Sequence, residues 1–424
     1  MEKFHIKKSY PLKGEVKISG AKNAALPIIA ASLLPDSPCR LEEIPALNDV
    51  KNLSLIVERM GAEVKRSPGS LTIDPRPVDE YEADPKLAKK LRASYYILGV
   101  MLGKTGRART SLPGGCRIGN RPIDLHLKGF RALGAEVNIE EGCVEVKTDN
   151  LSGSDIYLDY PSVGATINIM LAASRAEGQT VIENAAREPE IVDLANFLTV
   201  MGAEIKGVGT DVIKINGVDE MHGVEHEIIP DRIEAGTYII AGALAGEDIF
   251  VRNVLHEHLK PLLAKLREMG VELEQDIAGV RVCRPSTPGS VDVKTLPYPG
   301  FPTDLQAQMM VLLTQAESSS VVTETVWEDR FSHVEELNRM GASIKVDDNT
   351  ALITPTSLSG ASVTAPDLRA GAALILAGMV AEGETIIDEI DHVRRGYEKI
   401  VEKISGIGGS IELSSDRQSQ VTTA

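Results

Sequence analysis

The chain has 424 residues, of which 43% are apolar and 25% charged, which is material for two or three cores rather than one. Its formal charge of −16 argues against non-specific binding to nucleic acid or to an anionic membrane surface. The longest strongly apolar stretch, Ala370–Ala381, is too short to span a bilayer and no signal peptide is read at the start, so a cytoplasmic protein without membrane contact is expected.

Lys3, Lys7 and Lys8 alternate with apolar residues, predicting an opening strand. Next, Ala21-Lys22-Asn23-Ala24-Ala25 opens a helix that is apolar all round through Leu26–Leu34, the pattern of a buried helix. Then Leu53, Ile56, Val57 and Met60 mark one face of an amphipathic helix that stops at Gly61, before a short strand at Ala62-Glu63-Val64. The same sequence of events returns along the chain. Gly134, Gly202, Gly270, Gly341 and Gly408 each follow an amphipathic stretch and precede a strand, roughly every 70 residues. Polar helix starts at Arg92-Ala93-Ser94, Ser162-Val163-Gly164, Asp231-Arg232, Pro302-Thr303-Asp304 and Asp367-Leu368-Arg369 precede further apolar helices such as Ile167–Ala173 and Ala373–Val380. Six βαβαββ repeats, three around each set of buried helices, predict an α/β protein of two lobes. Residues 21–229 form the first lobe, and 1–20 with 230–424 form the second.

The buried helices begin with Lys22, Asn23, Arg92, Asp231, Arg232, Asp304, Asp367 and Arg369. Asp and Asn at such places read individually as helix caps. Lys and Arg oppose the helix dipole there, so repeated basic starts point to a polyanionic ligand. The loop Leu112-Pro113-Gly114-Gly115-Cys116-Arg117-Ile118-Gly119-Asn120-Arg121-Pro122 sets one thiol between arginines, which favours a reactive thiolate. Cys39, Cys143 and Cys283 sit in apolar or strand contexts. The four cysteines are too scattered for a disulfide framework, and with no clustered histidines no metal and no cofactor is implied.

Several runs closely resemble the UDP-N-acetylglucosamine 1-carboxyvinyltransferase family: Ile18-Ser19-Gly20-Ala21-Lys22-Asn23-Ala24, Pro113-Gly114-Gly115-Cys116, Arg121-Pro122-Ile123-Asp124-Leu125, Ser162-Val163-Gly164-Ala165-Thr166, Arg187-Glu188-Pro189-Glu190-Ile191-Val192-Asp193, Phe301-Pro302-Thr303-Asp304 and Asp367-Leu368-Arg369-Ala370. Leu91-Arg92-Ala93-Ser94-Tyr95-Tyr96 looks like the second isoform of low-GC Gram-positive bacteria.

The resemblance implies a two-domain inside-out α/β barrel. It also implies transfer of the enolpyruvyl group of phosphoenolpyruvate to the 3′-hydroxyl of UDP-N-acetylglucosamine, the first committed step of peptidoglycan synthesis. By the same resemblance Cys116 donates a proton to the methylene carbon and can itself be modified covalently, while Asp304 takes the proton of the hydroxyl. Lys22, Asn23, Arg121, Arg330, Arg369 and Arg395 would hold phosphoenolpyruvate, with Lys22 and Arg395 also catalytic. Asn23, Arg92, Arg121, Pro122, Ile123, Asp124, Leu125, Tyr160, Pro161, Ser162, Val163, Asp304 and Val326 would line the nucleotide-sugar site.

Two departures from the family pattern are Arg394, where an acidic residue usually precedes Arg395-Gly396-Tyr397, and Trp327, where a smaller aromatic is usual. Rival readings are the sister transferase acting on shikimate 3-phosphate, a catalytically idle or regulatory paralogue, and a ring clamp around nucleic acid. The Gly-Gly-Cys loop stands against the first. The presence together of Lys22, Cys116, Asp304 and Arg395 stands against the second, and the polar helix starts against the third. No obligate protein partner is read from the sequence.

Overall fold

A computed structural model describes residues 2–112 and 123–415; Cys116, Arg121 and Pro122 of the expected site lie outside them. Among the described residues, one compact unit covers 20–112 and 123–229, and the other covers 2–19 and 230–415.

Each unit is built from three small sheets. In the first unit one sheet has the order Glu225–Glu227, Cys39–Glu42, Ser70–Asp74, Glu63–Ser67, and another Asp155–Tyr157, Gln179–Glu183, Val212–Asn216, Glu204–Lys206. Between them in sequence lies a three-stranded sheet, Arg107–Ser111, Cys143–Lys147, Glu136–Glu140, with a parallel bridge from Glu82 to Arg109 at the place of a fourth strand. The second unit repeats the plan. Its sheets run Leu12–Lys17, Gly246–Arg252, Gly279–Cys283, Glu272–Gln275, then Val293–Lys294, Ser320–Thr323, Thr350–Thr354, Ser343–Asp347, and Ser362–Thr364, Glu384–Asp388, Glu2–Lys7, Ser410–Ser415. In every four-stranded sheet the first pair is parallel and the rest antiparallel. A parallel pair needs a crossover, and where Asp155–Tyr157, Val293–Lys294 and Ser362–Thr364 lead their sheets the buried helix that follows each supplies it.

Two features of this plan exchange segments between distant parts of the sequence. Leu12–Lys17 precedes the helix Lys22–Ala31 of the first unit but pairs with Gly246–Arg252 of the second. Glu225–Glu227 precedes the helix Arg232–Ala245 of the second unit but pairs with Arg40–Glu42 of the first. The opening strand Glu2–Lys7 inserts between the last two strands of the chain and completes the sixth repeat.

The six glycines behave as the periodicity requires. Gly61, Gly134, Gly202, Gly270, Gly341 and Gly408 all have φ between 80° and 120°, the left-handed conformation that ends a helix at little cost only for glycine. At the first, the Gly61 N–H bonds Glu58 O at 3.1 Å and the Ala62 N–H bonds Val57 O at 3.1 Å, so both orphan carbonyls of the last turn are satisfied. Leu53, Ile56, Val57 and Met60 are each 0% exposed. Burial of each such side chain stabilises the fold by about 1.5–3 kcal/mol.

The apolar helices Lys22–Ala31, Tyr96–Thr105 and Val163–Ala173 form the core of the first unit, and Arg232–Ala245, Gln306–Leu313 and Leu368–Val380 that of the second. Their contacts are close where residues are small: a Cβ added at Gly99 would lie 2.5 Å from the Asn168 carbonyl oxygen. Among the described residues no helix is long and apolar enough to cross a membrane.

Candidate active site

In the first unit, Lys22 opens its helix with a mostly buried side chain whose Nζ lies 3.3 Å from Asp49 Oδ2, while Asn23 beside it is exposed. Asp49 sits in the first turn of the helix Asn48–Arg59, so one acid faces the basic start of the neighbouring helix. Arg92 leads a short 3-10 turn, Arg92–Tyr95, ahead of Tyr96–Thr105. Its charge reaches His126, Tyr95, Tyr96 and Tyr160. Asp124 begins the helix Asp124–Ala132, is exposed, and acts on Tyr160 together with Ser162. Ser162 caps the helix Val163–Ala173, its Oγ accepting from the Ala165 N–H at 3.3 Å. Arg92, Asp124, Tyr160, Ser162 and Val163 are thus gathered around helix starts of one unit.

His126 belongs to this group, although nothing in its sequence context singles it out. Its Nδ1 lies 2.7 Å from Asn168 Nδ2, and Asn168 Oδ1 accepts from the Gly99 N–H at 3.1 Å. Burial, helped by Arg92, lowers the imidazole to about 4. A neutral ring accepting at Nδ1 carries its proton on Nε2. The far edge of the ring abuts Gly164, where an added Cβ would meet Cε1 and Nε2 at 3.0 Å. Its only sequence signal is a histidine on the buried face of an amphipathic helix, a place where most histidines are simply core residues.

In the second unit the polar helix starts divide into two kinds. Asp231 caps its helix through the N–H groups of Ile233 at 2.8 Å and Glu234 at 3.1 Å. Asp367 does the same for Arg369 at 2.8 Å and Ala370 at 3.0 Å, and also accepts from Ser332 Oγ. Asp304 is different. It lies in the turn Thr303–Leu305 and caps nothing; instead Arg330 Nη2 donates to Oδ1 at 2.7 Å, and Arg369 Nε and Nη2 donate to Oδ2 at 3.2 and 3.0 Å. The two arginine side chains are 4% and 6% exposed, against 29% for the carboxylate. Burial alone would raise the Asp304 carboxyl, but Arg369, Arg330 and, less strongly, Arg232 outweigh it and hold it well below the usual carboxylate range.

Glu324 shapes the neighbouring loop. It is 1% exposed, and its oxygens accept from Thr295 Oγ1 and Thr303 Oγ1 at 2.7 and 2.8 Å and from the N–H groups of Val326 and Trp327 at 2.7 and 3.2 Å. It therefore ties the turn that carries Asp304 to the segment that carries Val326. Nothing in its sequence context separates it from the many exposed glutamates. Arg394, the first departure noted above, is committed elsewhere: it pairs with Glu2 of the opening strand and lies 3.9 Å from Asp391. Arg395 follows at the end of the short helix Asp391–Arg394. Among the described residues no group of three or more His, Cys, Asp or Glu side chains is placed to hold a metal ion.

Residues 6–404 match the EPSP synthase (3-phosphoshikimate 1-carboxyvinyltransferase) family. The UDP-N-acetylglucosamine 1-carboxyvinyltransferase of Halothermothrix orenii is 69% identical over 411 residues, covering 97% of this chain and 99% of that protein. UDP-N-acetylglucosamine 1-carboxyvinyltransferase 2 of Carboxydothermus hydrogenoformans is 54% identical over 419 residues, covering 98% and 100%, and relatives numbered 1 also match. The solved structure of the enolpyruvyl transferase NikO from Streptomyces tendae superposes with a TM-score of 0.89 at 26% identity, covering 97% of this chain and 99% of that one. The chain therefore has the enolpyruvyl transferase fold and belongs to the EPSP synthase family, within its UDP-N-acetylglucosamine 1-carboxyvinyltransferase branch.

Proposed function

We propose that this chain is the cytoplasmic enzyme that transfers the enolpyruvyl group of phosphoenolpyruvate to the 3′-hydroxyl of UDP-N-acetylglucosamine, releasing inorganic phosphate, at the entry to peptidoglycan synthesis. The observation that carries the reading is the Asp304 carboxylate held by Arg330 and Arg369 at a helix start, in a chain whose relatives bear that enzyme's name over their whole length.

In this reading Lys22, Asn23, Arg121, Arg330, Arg369 and Arg395 bind the carboxylate and phosphate of phosphoenolpyruvate. Arg92, Arg121–Leu125, Tyr160–Val163 and Val326 line the nucleotide-sugar site. Asp304 takes the proton of the 3′-hydroxyl as that oxygen attacks C2, and Cys116 gives a proton to C3. The tetrahedral adduct then loses a C3 proton and its phosphate, restoring the double bond. A carboxylate bound by two arginines is a weak base. When the phosphoenolpyruvate anion draws Arg369 and Arg330 toward itself, Asp304 loses part of that stabilisation and its proton affinity rises toward the working pH, where a general base contributes about 10²–10⁴ in rate. Substrate binding thus activates the base.

The thiol provides the test. A phosphonate epoxide that mimics phosphoenolpyruvate is expected to alkylate Cys116 and abolish turnover, faster with the nucleotide sugar present. Cys39 and Cys283 have thiols pushed up by burial, and Cys143 rests 3.7 Å from Ser111 Oγ, so none of them is expected to react. Cys116→Asp should keep turnover and escape the reagent. A label on another cysteine, or inactivation of Cys116→Asp, contradicts the assignment.

A further inference from the structure

Tyr397 has no part in the chemistry above, yet it meets that chemistry through Arg369. It is 2% exposed, and the Arg369 guanidinium carbon lies 5.6 Å from its ring centroid, within the distance at which a cation is attracted by an aromatic face. The hydroxyl is fixed from the other side. It lies 2.8 Å from Thr237 Oγ1 and accepts from Gln308 Nε2 at 3.2 Å, and the same nitrogen reaches Thr237 Oγ1 at 3.2 Å and the carbonyl oxygen of Asp304 at 3.0 Å. Thr237 is on the helix Arg232–Ala245 and Gln308 on Gln306–Leu313, so the ring is clamped by two core helices that cannot shift without repacking.

Arg369 needs such a support. Its Nε and Nη2 are spent on Asp304, while its Nη1 is buried with no hydrogen-bond partner among the described residues. A guanidinium held along one edge by a single carboxylate can still rotate about that contact. A ring face beside it removes that freedom, which lowers the ordering cost of any anion that binds afterwards. Tyr397 also follows Arg395 by two residues, so one clamp fixes the segment carrying a second expected anion ligand.

We infer that Tyr397 is a positioning residue for phosphoenolpyruvate: its ring sets the Arg369 guanidinium in the orientation that meets both Asp304 and the substrate anion. The inference rests on the proposed role of Arg369 as a ligand of phosphoenolpyruvate. A tyrosine that merely filled the core would, on truncation, lower the amount of folded enzyme without changing how the folded molecules handle one substrate rather than the other.

The full-length enzyme decides between these roles by steady-state kinetics, with rates normalised to folded protein. Tyr397→Leu is expected to raise the KM for phosphoenolpyruvate about thirtyfold, the scale of a desolvated cation–π contact, and to leave the KM for UDP-N-acetylglucosamine within about twofold. Tyr397→Phe, which keeps the ring face, is expected to restore the KM for phosphoenolpyruvate to within about threefold of wild type. Tyr397→Met fills a similar volume without a ring, and must show the same split as Tyr397→Leu even if the latter accumulates poorly. Arg369→Lys separates the two claims. If it leaves the KM for phosphoenolpyruvate unchanged, the assignment of Arg369 as an anion ligand falls, and this inference with it. If it raises that KM while Tyr397→Leu and Tyr397→Met do not, the substrate assignment stands and the positioning role of Tyr397 is wrong.

Discussion

His126, in the first turn of a helix of one unit, and Asp304, ahead of a buried helix of the other, are held in opposite electrical states. In the unit covering 20–112 and 123–229, His126 is buried beside the uncharged Asn168, and burial drives it to the neutral form. In the other unit, Asp304 stays charged because Arg330 and Arg369 were folded in beside it. Glu234 lies between these cases: burial raises it to about 7, although Lys403 Nζ lies 2.5 Å away and the Ser19 N–H donates to it at 2.8 Å. One nearby cation does not overcome full burial at Glu234, whereas Arg369 and Arg330, with a smaller share from Arg232, do so for Asp304.

The largest expected effect comes from removing the charged centre. Asp304→Ala should lower turnover by about 10²–10⁴. It should also destabilise the second unit by about 3 kcal/mol, because two buried guanidiniums lose their counter-ion. A lost cap would cost only about 1 kcal/mol, so chemical denaturation distinguishes the two origins. Near-normal turnover would remove Asp304 from the chemistry.

The pH dependence of stability should separate His126 from Glu234 in sign. His126 has a folded value of about 4 against an ordinary 6.5. The folded state therefore binds fewer protons in that interval, and the contribution of His126 is present above pH 6.5 and lost as pH falls through 4. Relative to His126→Gln, wild type should lose about 3 kcal/mol across that window. The buried His333, also lowered to about 4, cancels in the difference. Glu234 is raised from 4.5 to about 7, so its contribution is present below pH 4.5 and lost as pH rises through 7. Relative to Glu234→Gln, wild type should weaken in that direction. Equal slopes for the two pairs would refute the contrast.

The smallest effect compares helix ends. At Gly61 an added Cβ would meet Pro77 O and Asp79 Oδ1 at 2.8 Å, and at Gly270 it would meet nothing within 4 Å. Gly270→Ala should cost about 1–2 kcal/mol for the left-handed backbone alone, and Gly61→Ala measurably more. Thermal melts that rank them in reverse would show that the first unit yields at this corner.

These glycines show what the sequence made legible. A helix end demands a left-handed residue at a fixed place, so the spacing of Gly61 to Gly408 shows the repeats in the sequence itself. Asp231 and Asp367 likewise stood where a cap is needed and serve as caps. Long-range pairing left no such mark. Arg330 and Arg369 lie far along the chain from Asp304, and no local pattern says that both turn toward it. The pairing of Glu225–Glu227 with Arg40–Glu42 is equally silent, because a short strand carries no record of its partner. His126 and Glu324 escaped notice for a related reason: each is an ordinary residue type whose role depends on which groups the fold brings against it.

The acceptor defines this enzyme, and the decisive measurement is release of inorganic phosphate from phosphoenolpyruvate by the purified protein. With UDP-N-acetylglucosamine, sustained phosphate release and an enolpyruvyl ether of the nucleotide sugar are expected, and no release with shikimate 3-phosphate. Release with shikimate 3-phosphate instead, or with neither acceptor, would contradict the assignment.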